Sequence, residues 1–217
     1  FTAIHEALLD RDLDEARRLL AEWQGAGINT ETMSESEVIR LALERAIVGS
    51  HRHVFGTIFW FMVPMGPAGV VLYRLVDMAA QRWPSQASAS LGQAARDFFQ
   101  LIDWVPVRLT AMGFAIVGNF EDAMYGWRYH LRKWSNELEA VILAAGAGAL
   151  GVRLGAPLPE PDSDEALRMA EAGEPPIHDL GHEASIRSLR SAVGLVWRAV
   201  ILWLTLIALM TISVWIG

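Results

Sequence analysis

The sequence predicts an all-α, polytopic helical membrane protein with one broken or re-entrant helix and one water-facing helical segment. Its composition is 53% hydrophobic and only 20% charged, whereas soluble domains carry about 25% charged residues. Its last apolar segment, Ala199 to Ile216, runs for 18 residues without a charge, which suffices to cross a bilayer as a helix. An earlier apolar segment has similar length but is interrupted by proline and glycine, which predicts the break.

Residues 1–53 are predicted to form the water-facing segment, because their apolar positions are interleaved with acidic and basic side chains. Ser34 and Glu37 stand three residues apart in a capping-box arrangement, so a helix is expected to begin at Ser34 and continue through Val38 and Leu41. The chain opens on Phe1 rather than on a methionine. We therefore expect further residues upstream.

Residues 54–155 are predicted to form a membrane-embedded helical core. Val54 to Tyr73 contains 20 residues without a formal charge, but Pro64, Gly66 and Pro67 interrupt its middle. A helix broken at membrane depth must satisfy its freed backbone groups against protein or a wet cavity. The segment is therefore interpreted as either a kinked span or a re-entrant hairpin.

Phe98 to Phe120 is apolar apart from Asp103, Arg108 and Asn119. Ionisable groups in such a segment are rare, tend to pair and often mark a functional site, so we expect Asp103 and Arg108 to pair. The alternative is an interfacial position, in which Asp103 caps the helix and Arg108 extends its charge to the membrane surface.

Small residues dominate Ala144 to Gly155. They include a match to the dinucleotide-binding pattern G-x-G-x-x-G, but no strand and helix alternation surrounds it, so we interpret the match as coincidental. Ala147, Gly151 and Gly155 recur every four residues, which places them on one face of a helix. This spacing predicts close helix packing.

Residues 156–190 are predicted to form a proline-rich acidic linker, and residues 191–217 to form the C-terminal transmembrane helix. Trp197 and Trp215 lie near the ends of this helix, where interfacial aromatics are expected. Arginines precede this helix and no charge follows it. The positive-inside rule therefore places Arg187 in the cytoplasm and Gly217 outside.

Several classes of chemistry are excluded or disfavoured. The chain has no cysteine, so it has no disulfide and no thiolate metal site, and its net charge of −7 argues against a nucleic-acid partner. His178 and His182 have the spacing of two helical metal ligands, but no third ligand is nearby, so we predict neither a metal nor a cofactor. His51, Arg52 and His53 form a cationic cluster that would suit an interfacial anchor or a phosphate group.

Five segments in order carry a resemblance to a known family: ARRLLAEWQG, ERAIVG, FWF with GPAGVVLYRLV, DWVPVRLT and GALGVRLG. Together they resemble the CobD/CbiB family of cobalamin-biosynthesis membrane proteins and its AmpE branch, which is linked to regulation of β-lactamase. The resemblance implies a multi-pass protein of the bacterial inner membrane. Its synthase branch attaches an aminopropanol phosphate arm to a corrinoid carboxylate.

The chain departs from the synthase pattern at several polar positions. In the pattern E-S-V-A-E-N-T-x-D-G-V-x-A-P-L-F-W, Glu44 and Trp60 match, but Arg52 replaces the Asp. In Y-K-A-V-N-T-L-D-S-M, Tyr73 matches and Asp77 stands at the Asn. The polar residues that remain are candidates for a cavity: Glu44, Arg52, Asp77, Asp103, Arg108, Asn119 and Arg153.

Three functions are compatible with this pattern. The first is a catalytically lapsed, AmpE-like regulator or accessory subunit that contacts membrane lipid and associates with other membrane subunits or with itself. The second is an active ligase that takes a corrinoid substrate and uses Glu44, Asp77, Arg108 and Arg153. The third is a protein that binds a lipid or a phosphorylated metabolite in the same cavity.

Overall fold

The computed structural model describes residues 1–25, 29–63, 66–82, 89–130, 137–155 and 181–216. These parts contain nine α-helices and no β-sheet, which confirms the all-α prediction. The helices are α1 (Thr2–Leu9), α2 (Leu13–Gln24), α3 (Glu35–Ser50), α4 (Gly56–Met62), α5 (Pro67–Arg82), α6 (Ala89–Val117), α7 (Phe120–His130), α8 (Glu137–Leu150) and α9 (Ile186–Ile216).

The N-terminal helices pack together on the first turns of α9. The predicted capping box is confirmed at the start of α3, where the Ser34 side chain accepts from the Glu37 backbone N–H and the Glu37 carboxylate accepts from the Ser34 backbone N–H. Apolar side chains from α1, α2, α3 and α9 form one core. Its members include Ile4, Leu8, Leu20, Ile39, Leu43 and Leu189.

The predicted break in Val54 to Tyr73 is present, and it makes a helical hairpin. A single π-helical turn, His51–Phe55, joins α3 to α4, so the chain remains helical across the predicted boundary at residue 53. α4 ends before Val63, which is extended, and α5 begins at Pro67. Gly56 in α4 lies against the Tyr73 ring in α5, as two antiparallel arms require.

Within the described parts of the chain, two helices are long and apolar enough to cross a membrane: Leu91–Val117 within α6, and α9. α9 has 31 residues, so it is about 46 Å long, and its second half exposes Leu204, Leu209 and Val214. An apolar face of this kind is stable in lipid and costly in water. The part of the predicted linker from 186 to 190 is helical, because α9 begins earlier than predicted, and residues 156–180 lie outside the described residues.

The prediction that Ala147, Gly151 and Gly155 form one helix-packing face is wrong. α8 ends at Leu150, because Gly151 adopts a φ of 63° that a right-handed helix cannot continue, so Gly155 is not on its surface. Close packing uses other small residues instead. A side chain at Gly148 would overlap the backbone of Ala123 in α7.

The second core lies where the hairpin, α6, α8 and α9 meet. Phe55 stands edge-on to Phe114 with ring centroids 5.6 Å apart and lies 5.7 Å from Trp203 of α9. Ile47, Val107, Ile142 and Leu195 surround these rings, among other apolar side chains. This core fixes the π-helical turn against α6 and thereby positions the polar groups described next.

Candidate functional site

A buried polar network joins the π-helical turn to α5 and α6. His51 is 2% exposed, and its Nε2 lies 3.0 and 3.1 Å from the two carboxylate oxygens of Asp103. Its Nδ1 lies 3.0 Å from Thr110 Oγ1, and the hydroxyl of Tyr73 donates to Asp103 Oδ1 at 3.0 Å. All four residues are buried, so they satisfy one another rather than bonding to bulk water.

The network holds the His51 ring from both sides. The Asp103 carboxylate accepts hydrogen bonds, so the Nε2–H group of His51 donates to it. On the other side of the ring, the Thr110 hydroxyl lies 3.0 Å from Nδ1 and 2.9 Å from the Pro106 carbonyl. Both ring nitrogens therefore have a buried polar partner.

An ion network lies beside the first. Arg52 reaches Asp77 at 3.8 Å and Glu139 at 2.7 Å, while Arg74 contacts the other oxygen of Asp77 at 3.1 Å. Gln81 also donates to Asp77. The Arg52 guanidinium stands 5.5 Å over the Phe99 ring, which adds a cation–π contact.

A narrow crevice separates the two networks, with a volume of about 20 Å³. This is room for roughly one water molecule. Its polar lining consists of His51, Arg52, Gln100, Asp103 and Glu139; its apolar walls are Val48, Phe99, Val107, Leu138 and Ile142.

Hydroxyl, imidazole and carboxylate have here the order of a nucleophilic triad, Thr110, His51 and Asp103. Thr110 is fully buried and its hydroxyl also bonds to the Pro106 carbonyl, so no substrate reaches it. The arrangement is therefore a structural hydrogen-bond network. It supports electrostatic positioning of a ligand and not nucleophilic attack.

Of the candidate cavity residues, the structure brings together Arg52, Asp77 and Asp103. The expected pairing of Asp103 with Arg108 is wrong, because Arg108 stacks 4.0 Å over the Trp104 ring and donates to the Trp104 carbonyl on the outer side of α6. The alternative role of Asp103 as a helix cap is also wrong, since it lies in the interior of α6.

The other three candidates lie outside the cluster and have structural roles. Glu44 pairs with Arg40 and accepts from the Gly155 backbone N–H at 2.6 Å. Arg153 donates to the Gly181 carbonyl at 2.8 Å and so ties the end of α8 to the segment before α9. Asn119 caps α7 by accepting from the Asp122 backbone N–H, and its side chain is exposed.

Sequence reasoning missed Thr110 and Glu139, and it assigned His51 to a cationic cluster suited to an interfacial anchor or a phosphate group, although His51 is buried. His53 of that cluster is exposed. No group of three metal-ligating side chains occurs among the described residues; His178 lies outside them, and the His182 backbone pairs with Gly151 and Arg153.

The fold and the site define a class: a helical protein with membrane-type apolar helices, in which a broken helix carries a buried cluster of charges. Residues 1–159 match the family model of the CobD/Cbib protein, and the chain belongs to this family. The assignment agrees with the ordered motifs of the sequence.

The chain is similar to the Cobalamin biosynthesis protein CobD of three bacteria. It is 34% identical over 203 residues to that of Stutzerimonas stutzeri, covering 93% of this chain and 63% of the relative. It is 32% identical over 154 residues to that of Chromobacterium violaceum, covering 70% and 48%, and 29% identical over 159 residues to that of Geobacter metallireducens, covering 70% and 49%.

The chain thus spans between about half and just under two thirds of the length of these relatives. Their names belong to cobalamin biosynthesis and not to the AmpE branch, so the comparisons give the regulatory reading no support. No solved structure matches the chain.

Proposed function

We propose that this chain is a multi-pass inner-membrane protein of cobalamin biosynthesis that acts as an adenosylcobinamide-phosphate synthase. In this reaction an aminopropanol-type phosphate arm is joined by an amide bond to a corrinoid carboxyl group. The names of the relatives favour this function over that of a lapsed regulator.

The observation that carries the proposal is the contact between Arg52 and Asp77. Arg52 stands where the synthase pattern has Asp, and Asp77 stands where it has Asn, so the sequence loses an acid at one position and gains one at the other. In the structure the two side chains are 3.8 Å apart, and both are largely buried. A carboxylate therefore lies at this point of the cluster, supplied by α5 and not by the π-helical turn.

The size of the crevice restricts how substrates would be arranged. A volume of about 20 Å³ excludes a corrinoid ring but fits the tip of a small amine, provided that neighbouring side chains move modestly. The ring would remain outside, with one carboxyl-bearing side arm at the mouth. The neutral amine nitrogen forms a bond to the carbonyl carbon of a phosphoryl- or nucleotidyl-activated carboxyl. The bond from that carbon to the activating group's oxygen breaks, and the departing phosphate or nucleotide takes up the proton that the nitrogen loses.

The cluster supplies positioning and charge for this step. A desolvated, preorganised set of charges stabilises developing charge more strongly than water does. Asp103 is held by two donors, and Arg52 is held by Asp77 and Glu139, so these groups need little reorganisation. The exposed apolar sides of α6 and α9 would contact membrane lipid.

A regulatory or accessory subunit is the second candidate. It is favoured by one observation: each carboxylate of the cluster already contacts a histidine or an arginine of the same chain. Such an internally paired cluster would hold the hairpin in place without chemistry. Under this function, purification in mild detergent retains a stoichiometric membrane partner or a second copy, whereas a lone monomer contradicts it.

Complementation separates the two functions. Full-length protein is expressed in a strain that lacks its cobinamide-phosphate synthase, and corrinoid synthesis is measured beside Asp103→Asn, Tyr73→Phe and the exposed control Glu121→Gln, each checked for membrane abundance. Under the proposal, wild type and Glu121→Gln restore synthesis while Asp103→Asn does not, and Tyr73→Phe restores it partly. A stable wild-type protein that fails to restore synthesis contradicts the ligase function.

A further inference from the structure

We infer that Glu139 is the residue that binds the ammonium group of the amine substrate at the mouth of the crevice. The inference rests on the proposed function, and it adds a residue that sequence reasoning did not select. It depends on the unequal accessibility of the three carboxylates around the crevice.

Two of these carboxylates are fully occupied. Asp103 has a side chain only 3% exposed and takes hydrogen bonds from His51 and Tyr73. Asp77 is 2% exposed and contacts Arg74 and Gln81 as well as Arg52. An ammonium group could reach either one only by displacing a buried partner, which would leave that partner's polar group unsatisfied.

Glu139 differs from these two carboxylates in its exposure and in its number of partners. Its side chain is 37% exposed, and only one of its oxygens, Oε1, is engaged, by Arg52 at 2.7 Å. The other oxygen has no hydrogen-bond partner among the described residues. A carboxylate has acceptor sites on both oxygens, so Glu139 can bind an ammonium group while keeping its contact with Arg52.

Arg52 holds the Glu139 carboxylate in a fixed orientation. The guanidinium contacts Asp77, lies over the Phe99 ring and donates to Glu139, so three elements fix its position. Glu139 itself belongs to the first turn of α8, where the helix dipole favours a negative charge. The carboxylate therefore stays at the crevice with one oxygen open to an incoming cation.

The contacts among the neighbouring charges leave Glu139 as the accessible acceptor. Arg52 and Arg74 both contact Asp77, and Asp103 contacts His51. Arg52 also contacts Glu139, but through one oxygen only. Selectivity for an amine therefore requires a hydrogen bond to an accessible oxygen, which Glu139 provides.

The test compares an amine with its deaminated analogue. Full-length protein in lipid nanodiscs is titrated calorimetrically with ethanolamine phosphate and with ethyl phosphate, which lacks the amine. We expect wild type to bind ethanolamine phosphate at least about tenfold more tightly than ethyl phosphate. Glu139→Gln should abolish this preference without changing the affinity for ethyl phosphate, Glu139→Asp should retain part of it, and Glu121→Gln should retain all of it.

Two results would overturn the assignment: a wild-type protein that does not distinguish the two phosphates, or a Glu139→Gln protein that still prefers the amine. Thermal unfolding of each variant verifies folding, and partial retention by Glu139→Asp shows that a lost preference reflects charge and not misfolding. Complementation remains a separate criterion. A wild type that fails to complement but retains a Glu139-dependent amine preference contradicts the ligase function and keeps the cation site.

Discussion

Gly56 and Tyr73 face each other across the helical hairpin, and the phenol of Tyr73 fills the space that a side chain at position 56 would need. A Cβ atom at Gly56 would come within 2.6 Å of Tyr73 Cζ, which no ordinary contact permits. The same phenol donates to Asp103. The absence of a side chain at position 56 therefore allows the hydrogen bond that ties α5 to α6.

The first prediction concerns this contact. Gly56→Ala should displace Tyr73, and overpacking of this kind costs about 1–3 kcal/mol in the free energy of unfolding. Tyr73→Phe should also destabilise, because a hydrogen bond to a charged group contributes about 1.5–3 kcal/mol. The double variant should lose less stability than the two single variants added together, since Gly56→Ala already breaks the hydrogen bond.

Gly194→Ala is the matched control, because a Cβ at Gly194 meets nothing within 4 Å. Alanine is favoured over glycine in a helix interior, so this variant should unfold no more readily than wild type. Unfolding in detergent, followed by circular dichroism, gives the comparison. Equal stabilities of Gly56→Ala and Gly194→Ala would contradict the packing argument.

The second prediction concerns the coupling between Arg52 and Asp77. Arg52→Gln and Asp77→Asn should each destabilise the protein, because each leaves a charged partner in a buried position. The double variant should be more stable than additivity predicts, by about 0.5–3 kcal/mol. Arg108→Gln with Asp77→Asn is the control cycle, since Arg108 lies on the outer side of α6, and this cycle should be additive. Additivity in the Arg52 cycle would show that the 3.8 Å contact has no energetic consequence.

Features set by neighbouring residues could be predicted from the sequence, whereas the polar cluster could not. The capping box at Ser34 and the break at Pro64 to Pro67 depend on local backbone chemistry, and the structure contains the helix start and the helix break that they predict. The cluster depends on residues far apart in sequence. His51 and Tyr73 reach Asp103 across 52 and 30 positions, and no periodic pattern encodes such a meeting.

Two errors in the sequence-based predictions have local causes. Asp103 and Arg108 are five residues apart, so in a helix they point about 140° from each other, and pairing within the helix is disfavoured. The small-residue stripe assumed that α8 continues, but Gly151 ends it. In both cases, the backbone geometry of the helix at these positions accounts for the structure that is observed.

The third prediction concerns pH and the start of α3. Hydrogen bonds from the Ser34 backbone and then the Ser34 side chain hold the pKa of Glu37 below its ordinary value. A lowered pKa in the folded state stabilises the protein above the ordinary Glu pKa of about 4.3, and this contribution is lost as the pH falls through the folded value. Wild type should therefore exceed Glu37→Gln in melting temperature at neutral pH, and the difference should shrink in acid. Glu35→Gln serves as control, and a difference that grows in acid would contradict the linkage.

The fourth prediction concerns the hydrogen bond from His51 to Asp103. Because the Asp103 carboxylate accepts from Nε2, ¹⁵N spectra of histidine-labelled protein should show one histidine with a protonated, hydrogen-bonded Nε2, identified by its loss in His51→Gln. Asp103→Asn should shift this signal and destabilise the fold, because a hydrogen bond to a charged group contributes about 1.5–3 kcal/mol.

Asp97→Asn is the matched control for this experiment, because Asp97 lies on the exposed part of the same helix and bonds to Gln93. It should leave the His51 signal unchanged. A wild-type His51 ring without a proton on Nε2 would contradict the hydrogen bond to Asp103, and with it the tie between the π-helical turn and α6.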